Sequence, residues 1–266
     1  MINDDLAFEF MRSAVSGASK TQTIRHFKKY YNCTDEEIAA LIKVCNFKSR
    51  PKKIDHHKIA NQLKDTDAAI NWFNFPFTQI GVIPMFLFPE ECEAIMGVID
   101  ENLRPSVVSN PQDEKKISSY RTSQTSDLDY LATPGFNLLD KKICKLMNAN
   151  PFTGETLQAQ KYKPGQYYKE HYDYFSPFTK EYKTYTEWMG QRTWTFMAYL
   201  NDVEEGGETY FRFLNLNLKP RQGMAVVWNN LYRNGFPNPK TLHEAKPPIS
   251  GDKYILTKWF RSWSLI

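Results

Sequence analysis

The sequence predicts an α+β fold in which helices precede an antiparallel β-sandwich or barrel. Apolar residues repeat at helical spacing near the N-terminus, whereas short runs rich in β-branched and aromatic residues dominate after Thr156, separated by glycine and proline clusters. The 266 residues suffice for one sizeable domain with a small appendage. We therefore expect a helical N-terminal segment with a basic linker, residues 1–75, and a main domain, residues 76–266, whose β core starts at about 155.

The N-terminal segment carries a clear helix-start signal. Thr34 and Glu37 have the spacing of a capping box. They precede apolar residues at the spacing of one buried helix face: Ile38, Leu41, Ile42 and Cys45. Pro51 then favours a linker within the basic stretch 48–58. Such charge runs are usually solvated, so contact with nucleic acid or an acidic partner is the less favoured interpretation.

The main domain is predicted to open with a strand and two helices before its β-rich part. Residues 79–88 have strand character, Pro89 can begin a helix at its first turn, and a second helix is expected over 137–147. The later strands are expected at 156–162, 168–174, 192–201, 208–213, 224–228 and 253–263. Trp194, Phe196, Ala198 and Leu200 alternate along one of them, so we expect them to face the core.

Charge, cysteine content and hydropathy argue against several classes of protein. The 34 basic and 30 acidic residues give a formal charge of +4, too near balance to indicate a nucleic-acid or membrane partner. The four cysteines are too scattered for a zinc site or a disulfide framework. We see neither a signal peptide nor the apolar run of about 18 residues that a membrane span needs. The expected location is therefore cytoplasmic.

The β-rich part contains two histidines and a nearby aspartate that could hold a metal. His171 and Asp173 lie in one predicted strand, where side chains two residues apart share a face. With His243 they would form a two-histidine, one-carboxylate set, which suits non-haem iron(II) that activates O2. A His-x-Asp pair alone is more often an ordinary pair without metal, so other residues must decide.

Lys253 is the second candidate, ten residues after His243. Strand alternation places it on one face with Ile255, Thr257, Trp259 and Arg261. The middle of that face is therefore apolar, and its two ends are charged. A lysine in a dry barrel is costly unless it meets an anion, and the distal carboxylate of 2-oxoglutarate is such an anion. An exposed strand lysine is the alternative.

Several motifs recur in order through the second half of the chain. They are LQAQKYKPGQYYKEHYDYF at 157–175, QRT at 191–193, YLNDVEEGGET at 199–209, KPRQGMA at 219–225, TLH at 241–243 and GDKYILTKW at 251–259. With these motifs the chain resembles the prolyl 4-hydroxylase branch of the Fe(II)/2-oxoglutarate oxygenases. The resemblance runs from about residue 79 to the C-terminus, and it implies a double-stranded β-helix, or jelly-roll barrel, flanked by helices.

The resemblance also implies roles for individual residues. His171, Asp173 and His243 would be the iron ligands, and Lys253 and Tyr162 would bind 2-oxoglutarate. The pocket for the target ring would be lined by Tyr168, Trp259 and Arg192. A groove for the substrate chain would include Arg121, Ser123 and Glu155. Two departures concern the substrate: Arg261 stands where some relatives carry a histidine, and the stretch 213–218 is short.

The implied activity is that of a procollagen-proline type prolyl 4-hydroxylase acting on a peptide or protein. Iron(II), 2-oxoglutarate and O2 would be required, ascorbate would serve as reductant, and succinate and CO2 would be released. Hydroxylation of free proline or another amino acid is the main alternative. A barrel that binds a metal or ligand without catalysis, and an interaction protein that acts through its N-terminal helices, are the alternatives outside this class.

Overall fold

The computed structural model describes residues 6, 10, 20–44, 52–53, 63, 69–106, 120–128, 135–150, 153–186 and 189–264. Most of the basic stretch 48–58, predicted to be a linker, lies outside these residues. Within them, no helix has both the length and the apolar character that a membrane crossing requires.

In the described part of the N-terminal segment, two helices have defined bounds, α1 (Lys20–Tyr30) and α2 (Asp35–Val44). The predicted capping box is confirmed at the start of α2. The backbone N–H of Thr34 donates to Glu37 Oε2 at 2.9 Å, and the Glu37 N–H donates to Thr34 Oγ1 at 3.2 Å. Buried side chains here form a core cluster of their own: Phe10, Phe27, Cys33, Ile38 and Leu41.

The described residues also contain three further α-helices, sixteen strands and two short 3₁₀ helices. The helices are α3 (Pro89–Glu101), α4 (Gly135–Leu146) and α5 (Lys180–Thr186). The first eight strands are β1 (Lys52–Lys53), β2 (Asn71–Trp72), β3 (Ile80–Ile83), β4 (Arg104–Pro105), β5 (Gln124–Asp127), β6 (Gln158–Tyr162), β7 (Tyr168–His171) and β8 (Arg192–Tyr199). The others are β9 (Glu205–Gly206), β10 (Thr209–Phe211), β11 (Leu216–Leu218), β12 (Ala225–Asn229), β13 (His243–Ala245), β14 (Pro248–Ser250), β15 (Lys253–Arg261) and β16 (Trp263–Ser264). Short 3₁₀ helices span Arg212–Leu214 and Pro239–Thr241.

The strands form two main antiparallel sheets, which confirms the expected α+β class. The larger sheet has eight strands in the order β2-β3-β12-β8-β15-β6-β5-β4. The smaller has four in the order β11-β10-β13-β7. Two further sheets have two strands each, β14-β9 and β1-β16. The second of these pairs joins residues 52–53 to residues 263–264 near the C-terminus.

Most predicted elements are confirmed, with two corrections. The helix at Pro89 starts where it was expected, but the strand before it ends at Ile83 instead of continuing to residue 88. The strand predicted over 168–174 was wrong beyond His171, where β7 ends. Asp173 therefore approaches His171 from the irregular backbone after the strand rather than along a shared strand face.

The two faces of β8 separate two hydrophobic cores. Trp194, Phe196 and Ala198 point into one cluster with buried residues of α3 and α4, as the alternation predicted. Met197 and Tyr199 point the other way, into a cluster with members from both main sheets. Those members include Tyr162, Val226 and Ile255 from the larger sheet and Phe211, Leu218 and Ala245 from the smaller. The space between the sheets is therefore lined by alternate residues of the central strands.

Candidate active site

His171, Asp173 and His243 converge between the two sheets. β7 and β13 pair with His171 opposite His243, so adjacent strands bring the two imidazoles together with ring centroids 4.2 Å apart. Asp173 follows β7 by two residues, and its Oδ1 lies 3.9 Å from Nε2 of His171. One potential ligand atom from each residue lies within 4.8 Å of the others. His171 and His243 are far apart in the sequence, and the pairing of β7 with β13 brings them together.

Both histidines are held in the form that can bind a metal. Nδ1 of His171 lies 2.8 Å from the carbonyl oxygen of Lys169, and Nδ1 of His243 lies 2.9 Å from that of Thr241. A carbonyl oxygen only accepts, so each Nδ1 carries a hydrogen, and Nε2 is the ring nitrogen left to bind a metal. Burial, with a contribution from neighbouring His243, lowers the pKa of His171 well below its ordinary value. Two imidazoles and one carboxylate fit non-haem iron(II).

Lys253 is completely buried, with 0% of its surface exposed. Its Nζ has no hydrogen-bond partner among the described residues and lies 5.2 and 5.6 Å from the ring centres of Tyr162 and Tyr199. Burial lowers the pKa of Lys253 to about 7, a shift that the charge of Glu208 opposes. A buried ammonium without a hydrogen-bond partner is unfavourable, and a bound anion would stabilise it. The neighbours Tyr162, its partner across the β6–β15 pair, and Ile255 line the cavity of the site, but Lys253 itself does not.

That cavity has a volume of about 1130 Å³ and opens between the sheets. Its wall includes all three candidate metal ligands and six other residues singled out from the sequence, Tyr162, Tyr168, Arg192, Trp259, Arg121 and Glu155. The ring of Tyr168 stacks on His171 with the centroids 3.5 Å apart, and the guanidinium of Arg121 lies 4.7 Å from the Tyr168 ring centre. Aromatic and cationic groups therefore surround the metal-facing end of the cavity.

A buried charge cluster, defined here as Glu155, Arg192 and Arg261, supports one wall. Arg192 donates to both carboxylate oxygens of Glu155 at 2.6 and 2.7 Å, and Arg261 donates to Oε1 at 2.8 Å. Burial by itself would raise the pKa of Glu155, but the two arginines hold it below its ordinary value. Arg192 also lies 4.0 Å from the ring centre of Trp259 and donates to the backbone oxygen of Asp173 at 3.3 Å. Through Arg192, the cluster thus contacts both the Trp259 ring and the backbone of Asp173.

Ser123, predicted to belong to the substrate groove, and Arg261, a departure from some relatives, stand apart from the cavity wall, as Lys253 does. Ser123 is buried, and its hydroxyl is engaged by Ser106 at 2.9 Å and by Nε of Arg121 at 3.0 Å. Arg261, which stands where some relatives carry a histidine, is 1% exposed and is bound to Glu155 and to the carbonyl of Tyr185. Neither residue lines the described cavity.

Four residues at the site were not selected from the sequence. Phe211 and Trp228 flank the His243 ring, with centroids 5.2 and 5.1 Å away. Thr195 donates to Asp173 Oδ2 at 2.6 Å, and Asn230 donates to Thr195 at 2.9 Å. Strand alternation carried a usable signal for Thr195 and Trp228, because each sits on the strand face opposite the one that packs on the helices. No local signal linked Asn230 to Asp173.

Comparison with known proteins agrees with this arrangement. The family model for the 2OG-Fe(II) oxygenase superfamily matches residues 157–261. The chain is 33% identical over 200 residues to a putative prolyl 4-hydroxylase of Acanthamoeba polyphaga mimivirus, covering 75% of this chain and 80% of that protein. It is 32% identical over 199 residues to prolyl 4-hydroxylase 1 of Arabidopsis thaliana, covering 69% of each.

Solved structures agree as well. A viral collagen prolyl hydroxylase from Paramecium Bursaria Chlorella virus-1, in its 2OG complex, superimposes with a TM-score of 0.55 at 26% identity. The match covers 70% of this chain and 97% of that one. The aligned relatives, the matching family model and the His171, Asp173 and His243 constellation lead to one conclusion: the chain belongs to the prolyl 4-hydroxylase family of the 2OG-Fe(II) oxygenases, and it is a dioxygenase.

Proposed function

We propose that this chain hydroxylates a proline of a peptide or protein, with iron(II), 2-oxoglutarate and O2. The observation that carries the proposal is the position of His171, Asp173 and His243 on the wall of one cavity, next to aromatic side chains. The relatives support it, since they are named prolyl 4-hydroxylases and one is named a collagen prolyl hydroxylase.

The three metal-facing residues would hold iron(II) through Nε2 of each histidine and Oδ1 of Asp173. Bound there, iron supplies the activation of O2 with which this family oxidises carbon–hydrogen bonds, as 2-oxoglutarate is converted to succinate and CO2. The protein's own contribution is positional. The Lys169 and Thr241 carbonyls orient the imidazoles, and the Tyr168 ring stacks on that of His171.

Lys253 and Tyr162 would bind the distal carboxylate of 2-oxoglutarate. The ammonium of Lys253 is buried without an anion, and a carboxylate would supply a charge-assisted hydrogen bond. Both groups lie on adjacent strands of the larger sheet, opposite one another in register. A rigid sheet therefore fixes their spacing.

The cavity favours a peptide over a free amino acid. Its volume of about 1130 Å³ exceeds the space that one amino acid needs beside a small cosubstrate. We propose that Tyr168, Trp259 and Arg192 surround the target proline ring, because Tyr168 stacks on His171 and Arg192 covers Trp259. Arg121, whose Nε donates to the Ser123 hydroxyl, would donate to the substrate chain. Glu155 would hold Arg192 in place by accepting its hydrogen bonds.

We also propose that the two facing sheets are those of a double-stranded β-helix, since they share a core and enclose the cavity. We propose a distinct N-terminal unit on the basis of the separate core cluster of α1 and α2, whereas β2, which also lies before residue 75, pairs in the larger sheet. Ascorbate as reductant and a cytoplasmic location stay predictions from the sequence.

The test is anaerobic loading with iron(II) and 2-oxoglutarate, followed by O2 and a panel of proline-containing peptides, free proline and other amino acids. We expect peptide-dependent succinate and a peptide that gains one oxygen atom on proline. The controls are His171→Ala, expected to lose iron, and Lys253→Ala, expected to lose 2-oxoglutarate. Oxygen incorporation into free proline alone would replace the peptide proposal. A wild-type protein that bound no iron and produced no more succinate than His171→Ala would overturn the proposed function.

A further inference from the structure

A buried threonine holds the carboxylate of Asp173. The Thr195 hydroxyl lies 2.6 Å from Asp173 Oδ2, and the side-chain amide of Asn230 lies 2.9 Å from Thr195 Oγ1. All three side chains are buried. We infer that Thr195 is a positioning residue that makes Asp173 a one-oxygen ligand, and that Asn230 in turn orients Thr195. The inference rests on the proposed iron site.

The hydrogen bonds that link Asn230, Thr195 and Asp173 can have only one donor–acceptor direction. A carboxylate accepts, so the single hydrogen of the Thr195 hydroxyl points to Oδ2 of Asp173. Asn230 must then donate through Nδ2, and its own Oδ1 is left buried without a partner among the described residues. An unpaired buried acceptor is unfavourable. The Asn230 amide thus donates to Thr195 although its own oxygen is left without a hydrogen-bond partner among the described residues.

Asn230 is fixed by its backbone as well as by its side chain. Its N–H donates to the Thr193 carbonyl at 2.7 Å, and its carbonyl accepts from the Asn238 N–H at 2.9 Å. These contacts anchor the residue that follows β12 to β8 on one side and to the loop before His243 on the other. The amide therefore has a defined position from which to direct the Thr195 hydroxyl.

The orientation of Asp173 decides how many of its oxygens can face a metal. Oδ1 lies 3.9 Å from Nε2 of His171, whereas Oδ2 is occupied by Thr195. A carboxylate can bind a metal through one oxygen or both. Binding through both would use one of the three positions that this ligand set leaves open for a 2-oxo acid and O2. By engaging Oδ2, Thr195 keeps that position free.

The experiment compares Thr195→Val with Thr195→Ser and Thr193→Val. Thr193 is a matched control because it is buried on the same strand face, but its hydroxyl donates to the Phe260 carbonyl at 3.1 Å. The readouts are the Kd for Co(II), an O2-inert probe, the visible spectrum of the Co(II) protein, and the thermal midpoint without metal. We expect Thr195→Val to bind Co(II) about 10–100-fold more weakly with an altered spectrum. Thr195→Ser and Thr193→Val should match the wild type.

The outcomes separate this inference from the proposed function. A wild-type protein that bound no Co(II) would count against the iron site itself. A wild-type protein that bound Co(II), together with a Thr195→Val protein of unchanged affinity and spectrum, would overturn the positioning role alone. Equal weakening by Thr193→Val would do the same, because it would show a general packing effect. If Thr195→Val did not fold, Thr195→Ala would carry the same comparison.

Discussion

Replacing Lys253 with methionine should stabilise the ligand-free protein and abolish its binding of 2-oxoglutarate. The side chain is fully buried, and its ammonium has no hydrogen-bond partner among the described residues. Methionine fills a similar volume without a charge. The depression of the Lys253 pKa from 10.5 to about 7 corresponds to about 5 kcal/mol, at about 1.4 kcal/mol for each pKa unit. This is the free energy by which burial disfavours the ammonium in the folded state.

The effect has a defined pH dependence. As the pH falls through 10.5, the unfolded chain takes up the lysine proton while the folded protein does not, so the free energy of unfolding decreases. The decrease ends near pH 7, where the folded protein is protonated too. Lys253→Met should therefore be the more stable protein by about 4 kcal/mol at pH 7 and by only about 2 kcal/mol at pH 9. Binding of 2-oxoglutarate to the wild type near pH 9 should take up about one proton, because the carboxylate restores the ammonium.

Lys258 provides a matched control five residues along the same strand. It is also 0% exposed, but its Nζ lies 2.6 Å from Oδ1 of Asp140, which is 0% exposed as well. Lys258→Met would leave the buried Asp140 carboxylate without its counterion, so it should destabilise the protein by about 3–5 kcal/mol. Equivalent substitutions on one strand should thus change stability in opposite directions.

Urea denaturation at pH 7 and pH 9 measures both differences, and titration calorimetry in two buffers measures the proton uptake. A Lys253→Met protein no more stable than the wild type at pH 7 would refute the unpaired-ammonium reasoning. A stability gain that was the same at both pH values would refute it too, because it would have to arise from packing rather than from charge.

Two further substitutions test the supports of the site. Glu155→Gln should destabilise the protein by about 3–5 kcal/mol at pH 7 by urea denaturation, since Arg192 and Arg261 lose their shared buried counterion. Because the folded protein lowers the pKa of Glu155, the carboxylate's contribution to the free energy of unfolding is complete above pH 4.5, the ordinary pKa of a glutamate, and is lost as the pH falls below it. An unchanged stability of Glu155→Gln at pH 7 would therefore contradict the role of Glu155 as the shared counterion. Gly223→Ala should be more destabilising than Gly165→Ala, although both residues have φ near +80°, because only at Gly223 would the new Cβ lie 2.1 Å from a backbone carbonyl oxygen. Equal thermal midpoints for the two alanine variants would show that the close approach carries no cost.

Local sequence patterns anticipated the elements well where one physical signal dominated. The capping box of α2, the helix start at Pro89 and the alternation along β8 follow from hydrogen bonding or periodicity within a few residues, and each is confirmed. Asp173 was placed in a strand because its neighbours have strand character, but β7 ends at His171. Strand ends depend on where the partner strand stops pairing, and that information lies far away in the chain.

The roles of charged residues show the same division. Spacing and alternation singled out Lys253, since a lysine on an apolar strand face is recognisable without a structure. Arg261 drew notice as a departure from some relatives, yet whether it faces substrate or core could not be read from its neighbours. It is buried against Glu155, which lies 106 positions earlier in the chain.

The sequence by itself determined the class of fold and the family, and it singled out the candidate metal ligands and a candidate lysine for the cosubstrate, because each depends on short-range periodicity or on motifs kept in order. Only the tertiary structure decided which oxygen of Asp173 is engaged, which cations share Glu155 and which buried lysine has a counterion. The physical reason is that a hydrogen bond or ion pair depends on atoms being within a few ångströms of each other. In this protein, the register of distant strands sets those distances.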